Sequence, residues 1–139
     1  MLELETYRGA VYPWHCDFMG HMNVMHYVGK FDQATWHFLA HLGITPSYLQ
    51  NNNKGMVAVE QTLKYFEELI AGDLIYIKTQ LVEAKPKAII FLHKMYNSET
   101  NVLAAEGKMI GVHIDKATRK SEALPKNVLD IVKQLFLKS

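Results

Sequence analysis

The chain is short of the features that mark specialised classes. It has one cysteine, Cys16, in 139 residues, so an intrachain disulfide framework is excluded and a reducing compartment, the cytoplasm, is the expected setting. An excess of one charge is missing too. Fifteen Lys and Arg stand against 14 Asp and Glu, a net charge of +1, which leaves no basic footprint for nucleic acid. No apolar run approaches the roughly 18 residues of a spanning helix, so no membrane partner is expected. The start, Met1-Leu-Glu-Leu-Glu-Thr-Tyr7, lacks the basic and apolar regions of a secretory signal. There are four prolines and no Pro/Ser-rich linker. No repeat of solenoid length is visible. One domain over residues 1–139 is expected.

What is present is material for a core, with 49% hydrophobic and 21% charged residues. The strongest periodicity runs from Asn23 to Leu42. Val24, Val28, Phe31, Thr35, Phe38, Leu39 and Leu42 recur at steps of three and four, and Tyr27, Ala34 and Trp36 widen the stripe. Lys30, Asp32, Gln33, His37 and His41 fill the polar remainder. This predicts a long helix with a broad apolar face. Asn23 is its N-cap, Gly43 its left-handed stop, and Pro46 bars continuation. Burial of Phe31, Trp36, Phe38 and Leu39 would contribute roughly 1.5–3 kcal/mol each.

Elsewhere the period is two. Strands are expected at Tyr7–Trp14, Met56–Phe66, Leu74–Ala84, Ala88–Tyr96 and Val102–Ile114. Gln50–Gly55 reads as a loop, Gly72-Asp73 as part of a turn, and Asn97–Asn101 as a hairpin loop. Gly107 and Gly111 are expected bulge or crossing points. Pro125–Leu137 predicts a short closing helix. The order is a strand, a long helix, four strands in meander and a helix. That is an α+β arrangement, with an antiparallel sheet wrapped around the long helix.

The chemistry concentrates in Trp14-His-Cys-Asp17-Phe-Met-Gly20-His21-Met-Asn23-Val24-Met-His26-Tyr27. A carboxylate near a helix N-terminus is favoured in its charged form, so Asp17 suits a base or nucleophile. Free amides in the first turn, around Asn23, Val24 and Met25, can face a substrate carbonyl. One such donor aimed at a developing oxyanion is worth about 2.7–4 kcal/mol. Gly20 permits a tight turn. An Asp ahead of a helix also serves as a cap or turn residue. His15, His21 and His26 lie near Cys16 and Asp17, but their spacings match no zinc motif. His37 and His41, four apart on the polar face, read as solvated. Cys16 has no partner for nucleophilic work, since His15 beside it on a strand would point to the other face. The seven Met read as core filler or as lining for an adaptable apolar pocket.

The run Asp17-Phe-Met-Gly20-His21-Met-Asn23-Val-Met-His-Tyr27, followed by Phe31-Asp-Gln-Ala34, resembles the hot-dog fold thioesterases of the 4-hydroxybenzoyl-CoA thioesterase-like group. Val57-Ala-Val-Glu60, Gly72-Asp73 and Asp115-x-x-Thr118-Arg119-Lys120 followed by Pro125 resemble it as well. The resemblance implies a hot-dog fold, homodimers or homotetramers, active sites at the dimer interface, and hydrolysis of an acyl-CoA thioester. It implies that Asp17 is the catalytic carboxylate, as nucleophile or as base for water. It also implies that the Val24 N–H polarises the thioester carbonyl, and that Asn23 and His21 hold motif positions that shape the turn; Gly20, by its own freedom, lets a ligand approach. Tyr27 matches the family's helix tyrosine, and Glu60 a carboxylate of some relatives; on its own terms Glu60 is an exposed strand residue pairing with Lys64. Many relatives carry a second Asn where Val24 stands and a small residue where His26 stands.

No metal or organic cofactor is expected, since coenzyme A is part of the substrate. Its phosphates need cations, and Lys85, Lys87, Lys116, Arg119 and Lys120 are candidates, Arg119 and Lys120 foremost. Trp14, Phe18, Trp36 and Tyr65 could line an aromatic acyl pocket or be core. The competing readings are a non-catalytic acyl-CoA or acyl-carrier binding module and a hot-dog hydratase or dehydratase.

Overall fold

A computed structural model describes residues 2–137. The long helix, α1 (Val24–His41), starts where the sequence places it. Asn23 is extended, and its Oδ1 accepts the Met25 N–H at 3.0 Å. Gly43 closes the helix with φ of +93°, a conformation open to glycine. Pro46 does more than bar continuation. It opens a second helix, α2 (Pro46–Asn51), whose N-cap Thr45 accepts the Tyr48 N–H at 3.1 Å. A good cap followed by proline at the first helical position overrides the polar composition of the Asn run. The expected loop at Gln50–Gly55 therefore shrinks, and Lys54 and Gly55 already pair with Asp115 and Ile114.

The strands are β1 (Glu3–Ala10), β2 (Lys54–Tyr65), β3 (Leu74–Ala84), β4 (Ala88–Asn97) and β5 (Leu103–Asp115). A closing helix, α3 (Lys126–Leu137), buries Val128 and Val132. The sheet order is β1-β3-β4-β5-β2, with every neighbour antiparallel. The expected four-strand meander holds only for β3-β4-β5. β2 pairs with β5 instead, because the segment after it does not turn back as a hairpin. It crosses the start of α1, where the Leu69 carbonyl accepts the Met22 N–H at 2.7 Å. β1 lies earlier than expected and ends at Ala10 opposite Leu74. Pro13 lacks an N–H and begins a single 3-10 turn, Pro13–His15. His15 and Cys16 are thus not on a strand.

Phe31, Ala34, Phe38 and Leu39 bury the inner face of α1. Three residues depart from the expected pattern. Val24, counted in the stripe, is exposed in the first turn. Trp36 is 44% exposed rather than core, since it lies at the border of the stripe. Lys30, expected in solvent, is buried. Its Nζ donates to the Tyr7 hydroxyl at 3.2 Å and the Ala10 carbonyl at 3.3 Å, while its stem covers apolar surface. Register shifts fall in β1, β2, β3 and near the end of β4; the one in β2, between Ala58 and Glu60, lies opposite Gly111 and Ile110, and none falls at Gly107. Gly107 is a crossing point: a Cβ there would lie 3.3 Å from Phe31 Cδ2 and 3.0 Å from Leu63 Cδ2.

A buried polar line ties α1 to the sheet. Thr35 Oγ1 donates to the Phe31 carbonyl at 2.9 Å, so it accepts from His93 Nε2 at 2.8 Å. His93 Nδ1 then accepts from the Thr79 hydroxyl at 2.6 Å, and Thr79 accepts from Thr6 at 2.8 Å. Burial holds the His93 pKa down to about 3, so the ring is neutral with its proton on Nε2.

Candidate active site

The segment ahead of α1 is built on backbone bonds. The Tyr12 N–H donates to His15 Nδ1 at 3.0 Å, and the His15 carbonyl accepts the Asn23 N–H at 2.9 Å. Burial, with the Lys30 cation and His26 nearby, pushes the His15 pKa down and preserves Nδ1 as an acceptor. Residues 17–21 close a turn: the Asp17 N–H donates to the His21 carbonyl at 3.2 Å, and the Gly20 N–H to the Asp17 carbonyl at 3.0 Å. Gly20 takes φ of +88°. His15 as an internal cap has no sequence signature, and its role went unread for that reason.

Asp17 sits at the head of this turn. Its Oδ1 accepts the Met19 N–H and its Oδ2 accepts Asn23 Nδ2, both at 2.9 Å. The Asn23 amide is oriented by chemistry: only Oδ1 can accept from Met25 N–H, and only Nδ2 can donate to a carboxylate. The bond from Asn23, then the bond from Met19, holds the Asp17 carboxyl below its ordinary value. It is ionised by dipoles. Each oxygen carries one local bond, and a carboxylate has about four acceptor positions, so both retain capacity. The turn role and a chemical role are therefore compatible.

The first turn of α1 offers one open donor. The Met25 N–H is taken by Asn23 Oδ1, and the His26 N–H by the Asn23 carbonyl at 2.9 Å. The Val24 N–H has no partner among the described residues, and Val24 is exposed. Asn23 thus links the carboxylate on one side to the helix start on the other.

The other expected residues divide. His21 supplies the carbonyl that closes the turn, and its ring lies 3.7 Å from Glu68. Tyr27 is buried one turn into α1, with its hydroxyl 3.4 Å from the Glu67 carbonyl and its ring against Tyr65. Glu60 is exposed on β2 beside the register shift, and Lys64 pairs with Glu106 at 4.0 Å rather than with Glu60. Arg119 and Lys120 are not brought near Asp17. They lie in the turn after β5, beside the start of β2, whereas Asp17 lies beyond its end. The twelve residues of β2 separate the two, roughly 40 Å of strand.

Two cavities flank the start of α1. The smaller, about 270 Å³, is bounded by His21, Val24, Tyr27, Tyr65 and Phe66. The larger, about 360 Å³, runs from Met25 along α1 to Leu39, against Met56 and Phe91 of the sheet. Asp17 lines neither, standing at the edge of the first beside His21 and Val24. Of the candidate acyl-pocket aromatics, Trp36 lines the larger cavity and Tyr65 the smaller. Trp14 stacks on Tyr12, and Phe18 is 98% exposed. Among the described residues no group of three or more His, Cys, Asp or Glu is placed to hold a metal ion. No helix among them is long and apolar enough to cross a membrane.

The family model of the thioesterase-like superfamily matches residues 11–132. The chain belongs to that superfamily. It is 25% identical over 108 residues to the acyl-CoA thioester hydrolase YbgC of Escherichia coli O6:H1, covering 78% of this chain and 80% of the relative. It is 24% identical over 132 residues to the betainyl-CoA thioesterase of Pseudomonas aeruginosa, covering 95% and 83%. In fold it is similar to a Staphylococcus aureus protein solved in complex with CoA, at a TM-score of 0.90 and 19% identity over 99% of this chain and 87% of that one. It is also similar to a 1,4-dihydroxy-2-naphthoyl-CoA thioesterase from Synechocystis, at 0.84 and 16% over 96% and 98%. The hot-dog α+β fold, the family resemblance carried by residues 17–34 and the thioesterase class of enzyme are borne out.

Proposed function

We propose that this chain hydrolyses an acyl-CoA thioester to the free acid and CoA, with Asp17 as nucleophile or as base for water. The observation that carries the reading is the Asn23 bridge: one side chain orients the Asp17 carboxylate and caps the helix whose Val24 N–H is open. In this reading the Val24 N–H receives the thioester oxygen as negative charge grows on it. The new C–O bond forms from Asp17 or from a water it deprotonates. The C–S bond breaks; where Asp17 has deprotonated water, it passes that proton to the thiolate of CoA. Where Asp17 attacks, CoA leaves as the thiolate, and the water that then opens the acyl-aspartyl anhydride supplies the proton it takes up. Water is the only second substrate, and no metal or organic cofactor takes part.

The site works in a pair of subunits. β2 is an edge strand with an unpaired outer side, and it carries exposed Val57, Val59 and Tyr65. Exposed Phe66, Phe18 and Met19 extend the apolar surface beyond its end, more than isolated residues would require. Its start is the more basic end: Lys116, Arg119 and Lys120 lie beside it, along with the Lys54–Asp115–Glu122 cluster, while Asp17, Glu67 and Glu68 lie near its other end, along with Lys64. Lys85 and Lys87 join the basic end, since the Lys87 and Pro86 carbonyls accept from His113 and Leu124 N–H, both at 2.9 Å. Antiparallel pairing of two β2 strands brings the basic turn of one subunit to the Asp17 end of the other. There Arg119 and Lys120 would meet the CoA phosphates. Free-thiol release from a panel of acyl-CoA esters, with Asp17→Asn as control, tests the reading. Thiol release by the natural chain and loss in the variant support it; CoA esters bound without release would leave a binding module, and a change in double-bond absorbance with enoyl esters a hydratase.

A further inference from the structure

The larger cavity contains a glycine that nothing else in the chain explains. Gly29 lies inside α1, where glycine is a poor helix former. It is not among the glycines with positive φ, and a Cβ built there would meet nothing within 4 Å. Neither backbone conformation nor packing calls for it. It does border the space of about 360 Å³ that includes Met25, the residue after Val24, while Val24 itself lines the smaller cavity.

From Met25 to Leu39 the space follows fourteen helical rises, roughly 21 Å. That length makes 360 Å³ a narrow slot. Its inner wall includes Leu39 and Phe91, each 2% exposed, and Met109 at 6%. Its outer side, with Met25, Gly29, Asp32, Trp36, Val57 and Gln61, is exposed, so a chain laid along it enters from the side and rests on this inner wall. The polar groups on the wall are few. The Thr35 hydroxyl is committed to His93 and the Phe31 carbonyl. Asp32 and Gln61 are exposed and have no hydrogen-bond or ion-pair partner among the described residues, and no Lys, Arg or His among them lines the space. A carboxylate with no cation repels an anionic acyl terminus.

We infer that this slot takes the acyl group, that its substrates are unbranched, uncharged acyl chains, and that Gly29 sets the chain length admitted. The inference rests on the thioesterase reading above. The length of the space along α1 suits a chain of medium length better than an acetyl group. Met25, Met56 and Met109 on the wall adapt to small differences in length.

The test is kcat/KM for straight-chain CoA esters from acetyl to palmitoyl, with benzoyl-CoA and succinyl-CoA, on the natural chain and on Gly29→Leu. The natural chain is expected to favour decanoyl over acetyl on the order of a hundredfold and to reject succinyl. Gly29→Leu is expected to cut the decanoyl-to-acetyl ratio on the order of tenfold, with no fall in the thermal midpoint, since leucine favours helix more. Preference for benzoyl or succinyl, a ratio unmoved by the substitution, or equal loss on both esters with a changed oligomeric state overturns the slot. Hydrolysis of acetyl-CoA alone sinks the slot and leaves the thioesterase; hydrolysis of no ester sinks both.

Discussion

Asp17 and Asp115 are similar carboxylates in opposite roles. Each heads a turn and accepts a nearby backbone N–H at 2.9 Å, Asp17 from Met19 and Asp115 from Thr118. Each is held below the ordinary carboxylate range, Asp115 at about 2. The difference is the second partner. Asp115 meets the Lys54 ammonium at 3.0 Å, and Lys54 also holds Glu122 at 2.7 Å. Asp17 instead meets the neutral Asn23 amide, with no Lys or Arg bonded to it among the described residues. A salt-bridged carboxylate has its charge answered and fastens a loop. A carboxylate ionised by dipoles keeps an unneutralised charge that can be spent on a substrate.

The sharpest break of that comparison removes each charge. Asp17→Asn is expected to lower kcat about 10³-fold or more, with the thermal midpoint shifted by no more than a few degrees; steady-state assays and thermal unfolding check both. Asn23→Ala comes next. It removes the largest cause of the low Asp17 pKa and the helix cap together. A loss of roughly 10–100-fold in kcat is expected, with about 1 kcal/mol of stability. The acid limb of kcat/KM should move upward from below pH 3.8, the ordinary Asp value.

Above the carboxylate range, the acid sensitivity of the fold comes from His93. Its folded pKa of about 3 lies below the ordinary 6.5, so the unfolded chain binds the extra proton. Stability present above pH 6.5 should fall by about 1.4 kcal/mol per pH unit as pH drops toward 3. Urea unfolding at pH 7 and pH 5 measures it. The smallest effect belongs to Asp115→Asn. It should lower the thermal midpoint by a few degrees and raise KM for the CoA ester through the Arg119–Lys120 turn, while kcat stays put.

Much of this was legible in the sequence because it is local. The Asn23 cap, the Gly43 stop, Leu74–Ala84 and the Asp17–Tyr27 segment depend on residues close in the chain. What escaped is long-range. The pairing of β2 with β5 depends on where the chain after Phe66 crosses α1. Lys30 is buried because Tyr7 and Ala10 supply acceptors twenty or more residues away. The distance between Arg119 and Asp17 follows from strand order, which periodicity alone does not encode. Trp36 satisfied the helical period and still lay outside the core, at the wall of a cavity.

The proposed chemistry needs a main-chain donor at the head of α1, and one substitution isolates it. Val24 occupies the first helical position, after an extended Asn23 with ψ of 149°, where proline fits the backbone and removes only the N–H. With Val24→Ala as control, Val24→Pro should fold with an unchanged helix signal and lose about 10²–10³-fold in kcat, while the alanine variant stays within about twofold. A folded Val24→Pro protein with undiminished turnover would contradict it.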